Sequence, residues 1–256
     1  MTTYDFDYER FEESFSPRKT AQSEPRSRPT LRRRARGIVF LDRNTWGAYY
    51  YDLCTRRPLG AATKRMLDLL ASTILIALLA PVFLVIITLI KLTSRGPIMF
   101  RQRRIGFRGN QFDMYKFRTM YVGSHLKEKE LAEQSGGSFL KIKNDPRITP
   151  IGRFLRKHSL DELPQLFNVL EGTMSMVGPR PLLQSDLEKL PRRSVLPRFG
   201  MPPGCTGLWQ VAGRSDCSES ERLQLDREYF DKWTLGLDFK ILFRTIAVIF
   251  TGRGAA

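Results

Sequence analysis

The 22 residues from Leu69 to Ile90 carry no charge, and on both sides of that run apolar positions alternate with basic ones. As a straight helix the run would be about 33 Å long, enough to cross a bilayer. It begins far from the N-terminus, after a long polar tail, so it does not read as a signal peptide. Pro81 interrupts it near the middle and divides it into arms of roughly 18 and 14 Å. Both flanks are basic, with Arg56, Arg57, Lys64 and Arg65 before it and Lys91, Arg95, Arg101, Arg103 and Arg104 after it. Positive charge at both ends places both on the cytoplasmic side. A re-entrant helix, broken at Pro81 and entering and leaving by one face, fits both observations. A kinked span is the alternative, because proline is tolerated in spanning helices.

The pattern divides the chain into three parts. Residues 1–60 form a tail and lead-in. The stretch up to about 37 is polar, rich in Arg, Pro and Ser, and without periodicity, as in a disordered segment. Residues 61–95 hold the membrane helix, and residues 96–256 a catalytic domain. Within that domain, turn signals at Gly96-Pro97 and around Gly106 and Gly109 predict a strand or two with a tight turn. A helix leading into a loop is expected over 121–142. Two helical segments are expected in "DPRITPIGRFLRKHSLDELPQLFNVLEG", a rigid turn at "VGPRPLL", and a loop in "LPRFGMPPGCTGLWQVAGRS". Two helices close the chain. In the last, Phe239, Leu242, Ile246 and Phe250 recur at helical spacing beside Lys240 and Arg244, which suits either a membrane surface or a core face. The fold class is α+β, mainly helical and membrane-associated, with a Pro-broken re-entrant helix and surface amphipathic helices.

Composition narrows the chemistry. A formal charge of +16 points to nucleic acid, an anionic membrane or a phosphorylated substrate. Three cysteines, Cys54, Cys205 and Cys217, have neither the number nor the spacing of a disulfide framework or a zinc knuckle. Two histidines are too few for a His-based metal site. The chemistry therefore falls to carboxylates and to Lys or Arg.

Asp161 and Glu162 stand side by side in "HSLDELPQLFN". A structural role would explain them: Ser159 and Glu162 have capping-box spacing, and Asp161 as N-cap would put Pro164 at N3, where its missing N–H costs nothing. Leu163, Leu166, Phe167 and Leu170 then form one stripe, ending at Gly172. The surroundings favour chemistry. Arg147, Arg153 and Arg156 lie upstream, and Arg180 sits downstream between two prolines. Guanidinium groups match phosphate oxygens, and carboxylates among them suit Mg²⁺ with a polyphosphate. One carboxylate can hold the metal while the other attacks phosphorus.

Five stretches, in this order, resemble the bacterial sugar transferases, the monotopic polyprenol-phosphate phosphoglycosyltransferases that initiate surface glycan assembly. They are "KRMLD", the central Pro81, "IKLTSRGPIMFRQRRIGFRGNQFDMYKFRTM", "DPRITPIGRFLRKHSLDELPQLFNVLEGTMSMVGPRP" and "PPGCTGLWQVAGRS". The chain looks like the minimal catalytic form, without the multi-span N-terminal half of larger members. The resemblance implies transfer of sugar-1-phosphate from a UDP-sugar, UDP-glucose or UDP-galactose, to undecaprenyl phosphate, with release of UMP. It implies that Asp161 carries the phospho-sugar covalently and that Glu162 helps place Mg²⁺, so that both carboxylates border the metal. Lys116, Arg118, Arg147, Arg153, Arg156 and Arg180 are assigned to phosphate and substrate, of which the resemblance carries Lys116, Arg156 and Arg180. The implied location is the cytoplasmic face of the bacterial inner membrane, in contact with membrane lipid. Ala80 before Pro81 departs from the Ser-Pro of some members.

Other readings make different predictions. A glycosyltransferase moving the sugar alone would release UDP. A membrane-tethered nucleic-acid-binding regulator would need stacking aromatics or a helix-turn-helix pattern, which the chain after residue 60 lacks, so no nucleic-acid partner is expected. Homo-oligomerisation is left open, as is the identity of the sugar.

Overall fold

The computed structural model describes residues 53, 57–124, 145–187, 190, 197–212 and 217–251. All lie in the larger of two compact units, Phe40–Ala256. The tail, Cys54 and most of the helix expected over 121–142 fall outside the described residues.

Helix α1, Pro58–Thr93, is 36 residues long and starts with Pro58 in its first turn, where a missing N–H costs nothing. The expected helix-break-helix is instead a single helix through Pro81. Proline removes one N–H from the ladder, and the bonds on either side keep the helix continuous. Only 17% of its most apolar window is buried, so α1 is not the core helix of a soluble protein. By length and composition it can cross a membrane. No residue from Thr73 to Val82 is buried. The protein-facing positions are Lys64, Asp68 and Ser72 in the first half and Phe83, Ile86 and Ile90 in the second.

Strands β1 (Met99–Ile105) and β2 (Gln111–Phe117) form the predicted hairpin, antiparallel with Met99 opposite Phe117 and Ile105 opposite Gln111. Its connection turns through Arg108 and Gly109 at positive φ. Helix α2 (Pro150–Lys157) is capped by Thr149, whose hydroxyl accepts from the Gly152 N–H at 2.9 Å. A Cβ on Gly152 would lie 2.1 Å from the Thr119 carbonyl oxygen, so this helix packs directly on backbone beyond β2.

The "SLDELP" stretch differs from the cap expected of it. Ser159 takes a left-handed conformation (φ 55°) and makes no side-chain cap, Leu160–Glu162 forms a single 3₁₀ turn, and Pro164 directly precedes α3 (Gln165–Glu171). Proline at that point starts the new helix cleanly but stops the preceding turn from running into it. Asp161 is therefore not the N-cap of α3. Gly172, at φ 85°, ends α3 as expected.

Strand β3 (Ser175–Val177) pairs in parallel with β4 (Gly204–Thr206). A Cβ on Gly204 would sit 2.0 Å from the Gly178 nitrogen, and only glycine permits that approach. Between them lies the short α4 (Gln184–Leu187), and after them come α5 (Leu208–Ala212), α6 (Glu219–Asp231) and α7 (Leu235–Thr251). The expected Gly/Pro loop thus holds a strand, formed by pairing with the distant β3, and the short helix α5. Helix α6 begins with a complete capping box, Ser218 with Glu221.

Two apolar clusters frame the site. Phe83, Ile86 and Ile90 of α1 pack on Phe117 of β2 and Leu155 of α2, with Leu160, Leu163 and Phe167 alongside. Val177, Met201, Tyr229, Trp233 and Ile241 form the second. In α7, Ile241 faces this core and Leu242 of the expected stripe packs against it, while Phe239 and Ile246 of that stripe are exposed, as is Phe243. The architecture is α+β and mainly helical.

Candidate active site

The 3₁₀ turn Leu160–Glu162 is pinned by Leu160 and Leu163 in the first cluster, so the two carboxylates between them have fixed positions. Asp161 is 9% exposed. Burial raises its pKa, the neighbouring Glu162 charge adds to this, and Lys116 and Arg156 pull the other way. Glu162 has both cations in contact. Lys116 Nζ on β2 donates to Oε1 at 2.7 Å, and Arg180 Nη2 donates to the same oxygen at 2.8 Å. Burial would raise the Glu162 pKa, but Arg180 and Lys116 more than offset it and hold the carboxyl well below the usual range. Arg180 answers with a raised pKa, from Glu162 first.

Of the six predicted cations, Lys116 and Arg180 meet at Glu162, and Arg156 lies within electrostatic reach of Asp161. Arg156 Nε also donates to Thr119 Oγ1 at 2.8 Å. Arg147 grips Asp145 with a bidentate fork, its Nη2 at 2.7 Å and its Nε at 2.9 and 3.0 Å. Asp145 also feels Arg156. Arg147 thus borders the site with its charge matched. Arg118 points elsewhere: its guanidinium donates to the carbonyl oxygens of Ser94 and Arg95 and to Ser94 Oγ, clasping the end of α1. Arg153 is exposed on α2.

The sequence reading missed three residues around this cluster. Arg104 on β1 is half-buried, reaches the Pro181 carbonyl oxygen at 3.3 Å, and has its pKa lowered to about 10 by burial and then by Arg180. Its register opposite Phe112 follows only from hairpin pairing. Gln165, the first residue of α3, is 2% exposed, and its amide nitrogen has no hydrogen-bond partner among the described residues. Buried amides without partners are uncommon and call for a ligand or a functional cause. Asn168 ties α3 to the hairpin: its Oδ1 accepts from Tyr115 N at 2.9 Å, and its Nδ2 donates to the Asp113 carbonyl oxygen at 2.8 Å. The D-E-L-P-Q-L-F-N run held both residues at helical spacing from Asp161.

No group of three or more metal-ligating side chains occurs among the described residues. The donor set is one buried carboxylate beside a cation-held one. That suits an ion bound through one or two carboxylates plus substrate phosphates, the usual manner of Mg²⁺, and not an all-protein cage.

The basic residues flanking the apolar run also have structural partners. Lys64 Nζ lies 2.6 Å from Asp238 Oδ2 on α7, both nearly buried. Arg65 donates to the carbonyl oxygens of Val169 and Leu170 at the end of α3, where a cation suits the helix dipole. Asp68 Oδ1 accepts from Met176 N at 3.0 Å.

This geometry coincides with what the chain is similar to. The family model for "Bacterial sugar transferase" matches residues 59–252. The exopolysaccharide production protein ExoY of Rhizobium meliloti is 40% identical over 205 residues, which is 78% of this chain and 90% of that one. The undecaprenyl-phosphate galactose phosphotransferase of Salmonella typhimurium is 43% identical over 75% of this chain and 41% of its own length. The UDP-glucose:undecaprenyl-phosphate glucose-1-phosphate transferase of Klebsiella pneumoniae is 40% identical over 75% and 41%. The chain thus matches nearly all of the ExoY protein and about two-fifths of the other two. With the match running from the start of α1 to the end of α7 and enclosing every residue of the carboxylate–cation cluster, the chain belongs to the bacterial sugar transferase family.

Proposed function

We propose that this protein is a phosphoglycosyltransferase that moves a hexose-1-phosphate from a UDP-sugar, UDP-glucose or UDP-galactose, to undecaprenyl phosphate, with UMP as the leaving group. The observation that carries this reading is the pairing of a buried Asp161, with no salt bridge to any described residue, with a Glu162 neutralised by Lys116 and Arg180. In the proposed step Asp161 attacks the β-phosphorus. The bond from phosphorus to the UMP oxygen breaks and an acyl-phosphate forms. The oxygen of the lipid phosphate then displaces the aspartate. A raised pKa makes the ionised carboxylate a stronger nucleophile, and cations nearby favour its ionised form. Arg180, Lys116 and Arg156 offset charge on the phosphates in the transition state. Asp161 and Glu162 would hold Mg²⁺, which supplies charge neutralisation on the phosphate oxygens.

Relatives named for undecaprenyl-phosphate galactose and glucose phosphotransfer support the acceptor and donor class. The ExoY proteins support a place in exopolysaccharide production. The attachment of both halves of α1 to one compact unit supports a monotopic placement on the cytoplasmic face, with α1 entering the membrane surface as one continuous helix. Lys64 and Arg65 bind α7 and α3, and Phe83 to Ile90 pack on β2 and α2. A helix whose two ends are held by one folded body cannot readily deliver them to opposite sides of a bilayer.

The test is to incubate purified protein with Mg²⁺ and each UDP-sugar, with and without undecaprenyl phosphate, and to identify the nucleotide released. UMP with one donor, turning over only when lipid is present, is expected. UDP would mean transfer of the sugar alone.

A further inference from the structure

Arg180 is placed by more than its two prolines. Arg198 Nη2 donates to the Arg180 carbonyl oxygen at 3.1 Å and at the same time pairs with Asp226 Oδ2. Asp226 lies in the middle of α6, 1% exposed, and Arg198 is 7% exposed. Neither group reaches Glu162 or Asp161. The chain of contacts therefore runs from α6 through Asp226 and Arg198 to the Arg180 backbone, and from the Arg180 side chain to Glu162.

The pair is poorly suited to a purely stabilising role. Arg198 Nε and Asp226 Oδ1 are both buried without hydrogen-bond partners among the described residues. Desolvating two charges is costly, and an ion pair repays it only when the remaining donors and acceptors are satisfied. An apolar pair of similar volume would stabilise this place as well or better. What an apolar pair would lack is a donor aimed at one carbonyl oxygen, that of the residue whose guanidinium holds Glu162. The rest of the Arg180 loop is fixed by backbone bonds on either side, Gly178 N to Thr206 O at 2.9 Å and Gly204 N to Pro179 O at 3.0 Å before it, and Ile105 N to Leu182 O at 2.9 Å after it. Arg198 supplies the bond at the residue itself.

We propose that Arg198 and Asp226 are positioning residues for Arg180: Asp226 orients the Arg198 guanidinium, which fixes the Arg180 backbone so that its side chain meets Glu162 and the substrate phosphate. The part concerning substrate rests on the proposed reaction, and the part concerning Glu162 does not.

Arg198→Met alone strands a buried carboxylate and is expected to unfold easily, so the informative variant is Arg198→Met with Asp226→Leu, which removes both charges. Thermal unfolding checks that it is folded. Side-chain NMR on protein with ¹⁵N-labelled arginine, at one fixed pH, follows the Arg180 guanidinium, assigned with Arg180→Gln, and Glu162→Gln shows how its signal looks when the contact with Glu162 is lost. UMP release measures kcat and KM. We expect a folded double variant in which the Arg180 guanidinium signal moves toward that of Glu162→Gln. Its turnover should fall on the order of 10²-fold, the loss expected when a reacting group is misplaced by about 1 Å. A folded double variant with an unchanged Arg180 guanidinium signal overturns the proposal, whatever its turnover. If the wild type releases no UMP, the proposed reaction fails, and the Arg180 signal still decides whether Arg198 and Asp226 position Arg180. If the double variant does not fold, the pair is structural and the proposal is overturned.

Discussion

Lys116 and Glu162 meet at 2.7 Å, a strand residue and a residue of a 3₁₀ turn brought together across 46 positions of sequence. Their contact joins the hairpin to the turn that carries Asp161, and Arg180 closes on the same oxygen from the other side. Two cations on one carboxylate leave a positive excess beside Asp161, where a diphosphate would have to lie.

Replacing Lys116 with Met removes one of those cations and leaves Glu162 to Arg180. The Glu162 pKa should then rise toward the ordinary range. The loss in kcat/KM for UDP-sugar should be on the order of 10²-fold or more, as for other groups that meet charge in the transition state. Carboxyl NMR and initial rates measure the two effects. An unchanged rate would remove Lys116 from the site.

Burial sets the Asp161 carboxyl above the ordinary value of 3.8. The reaction needs the ionised form, so kcat/KM should rise with pH along an acidic limb. The midpoint of that limb should lie above that of a solvent-exposed aspartate. Glu162 titrates far below it and contributes nothing to this limb. In stability, a raised aspartate pKa favours the fold at low pH, an advantage lost as pH climbs from the unfolded pKa through the folded one. A pH–rate profile with no acidic limb above an ordinary carboxylate would contradict the burial of Asp161.

Lys64 and Asp238 form a buried pair that also receives Tyr229 OH at 2.6 Å and Trp233 Nε1 at 3.2 Å. Lys64→Met strands the carboxylate and should cost about 3–5 kcal/mol. Denaturant unfolding in detergent measures it. A loss below 1 kcal/mol would mean that α1 is not anchored there.

Much of this was legible from the sequence and some was not. The apolar run, the hairpin between its glycines, the helix ending at Gly172 and the Asp161–Glu162 pair all rest on local signals: periodicity, turn residues and adjacency. The errors came where tertiary structure overrides local rules. Ser159 and Glu162 have the spacing of a capping box, yet Pro164 and the packing of Leu160 and Leu163 make a separate 3₁₀ turn there. Arg118 lies two residues from Lys116, and strand alternation would put both on one face, but β2 ends at Phe117 and Arg118 turns to the end of α1 instead. Lys64 and Arg65 counted as flanking charge, but their partners lie 174 and 104 positions away, and no window of sequence reports that.

The monotopic placement predicts that both ends of α1 face the same compartment. Leu59, in the first turn of α1, and Arg95, just past its last residue, are exposed. Cysteines introduced there, compared with the unsubstituted chain, should both be labelled by an impermeant thiol reagent from the cytoplasmic side of membrane vesicles. Labelling from opposite sides would establish a span.

The account stands or falls on Asp161 as the residue whose carboxylate oxygen carries the phospho-sugar. The direct measurement is the intact mass of the protein after incubation with Mg²⁺ and its UDP-sugar in the absence of lipid. The wild type should gain the mass of one phospho-hexose, mapped to Asp161, and lose it when undecaprenyl phosphate is added, while Asp161→Asn should gain nothing and stay folded. Turnover with no adduct in the wild type, or turnover by Asp161→Asn near the wild-type rate, would contradict it.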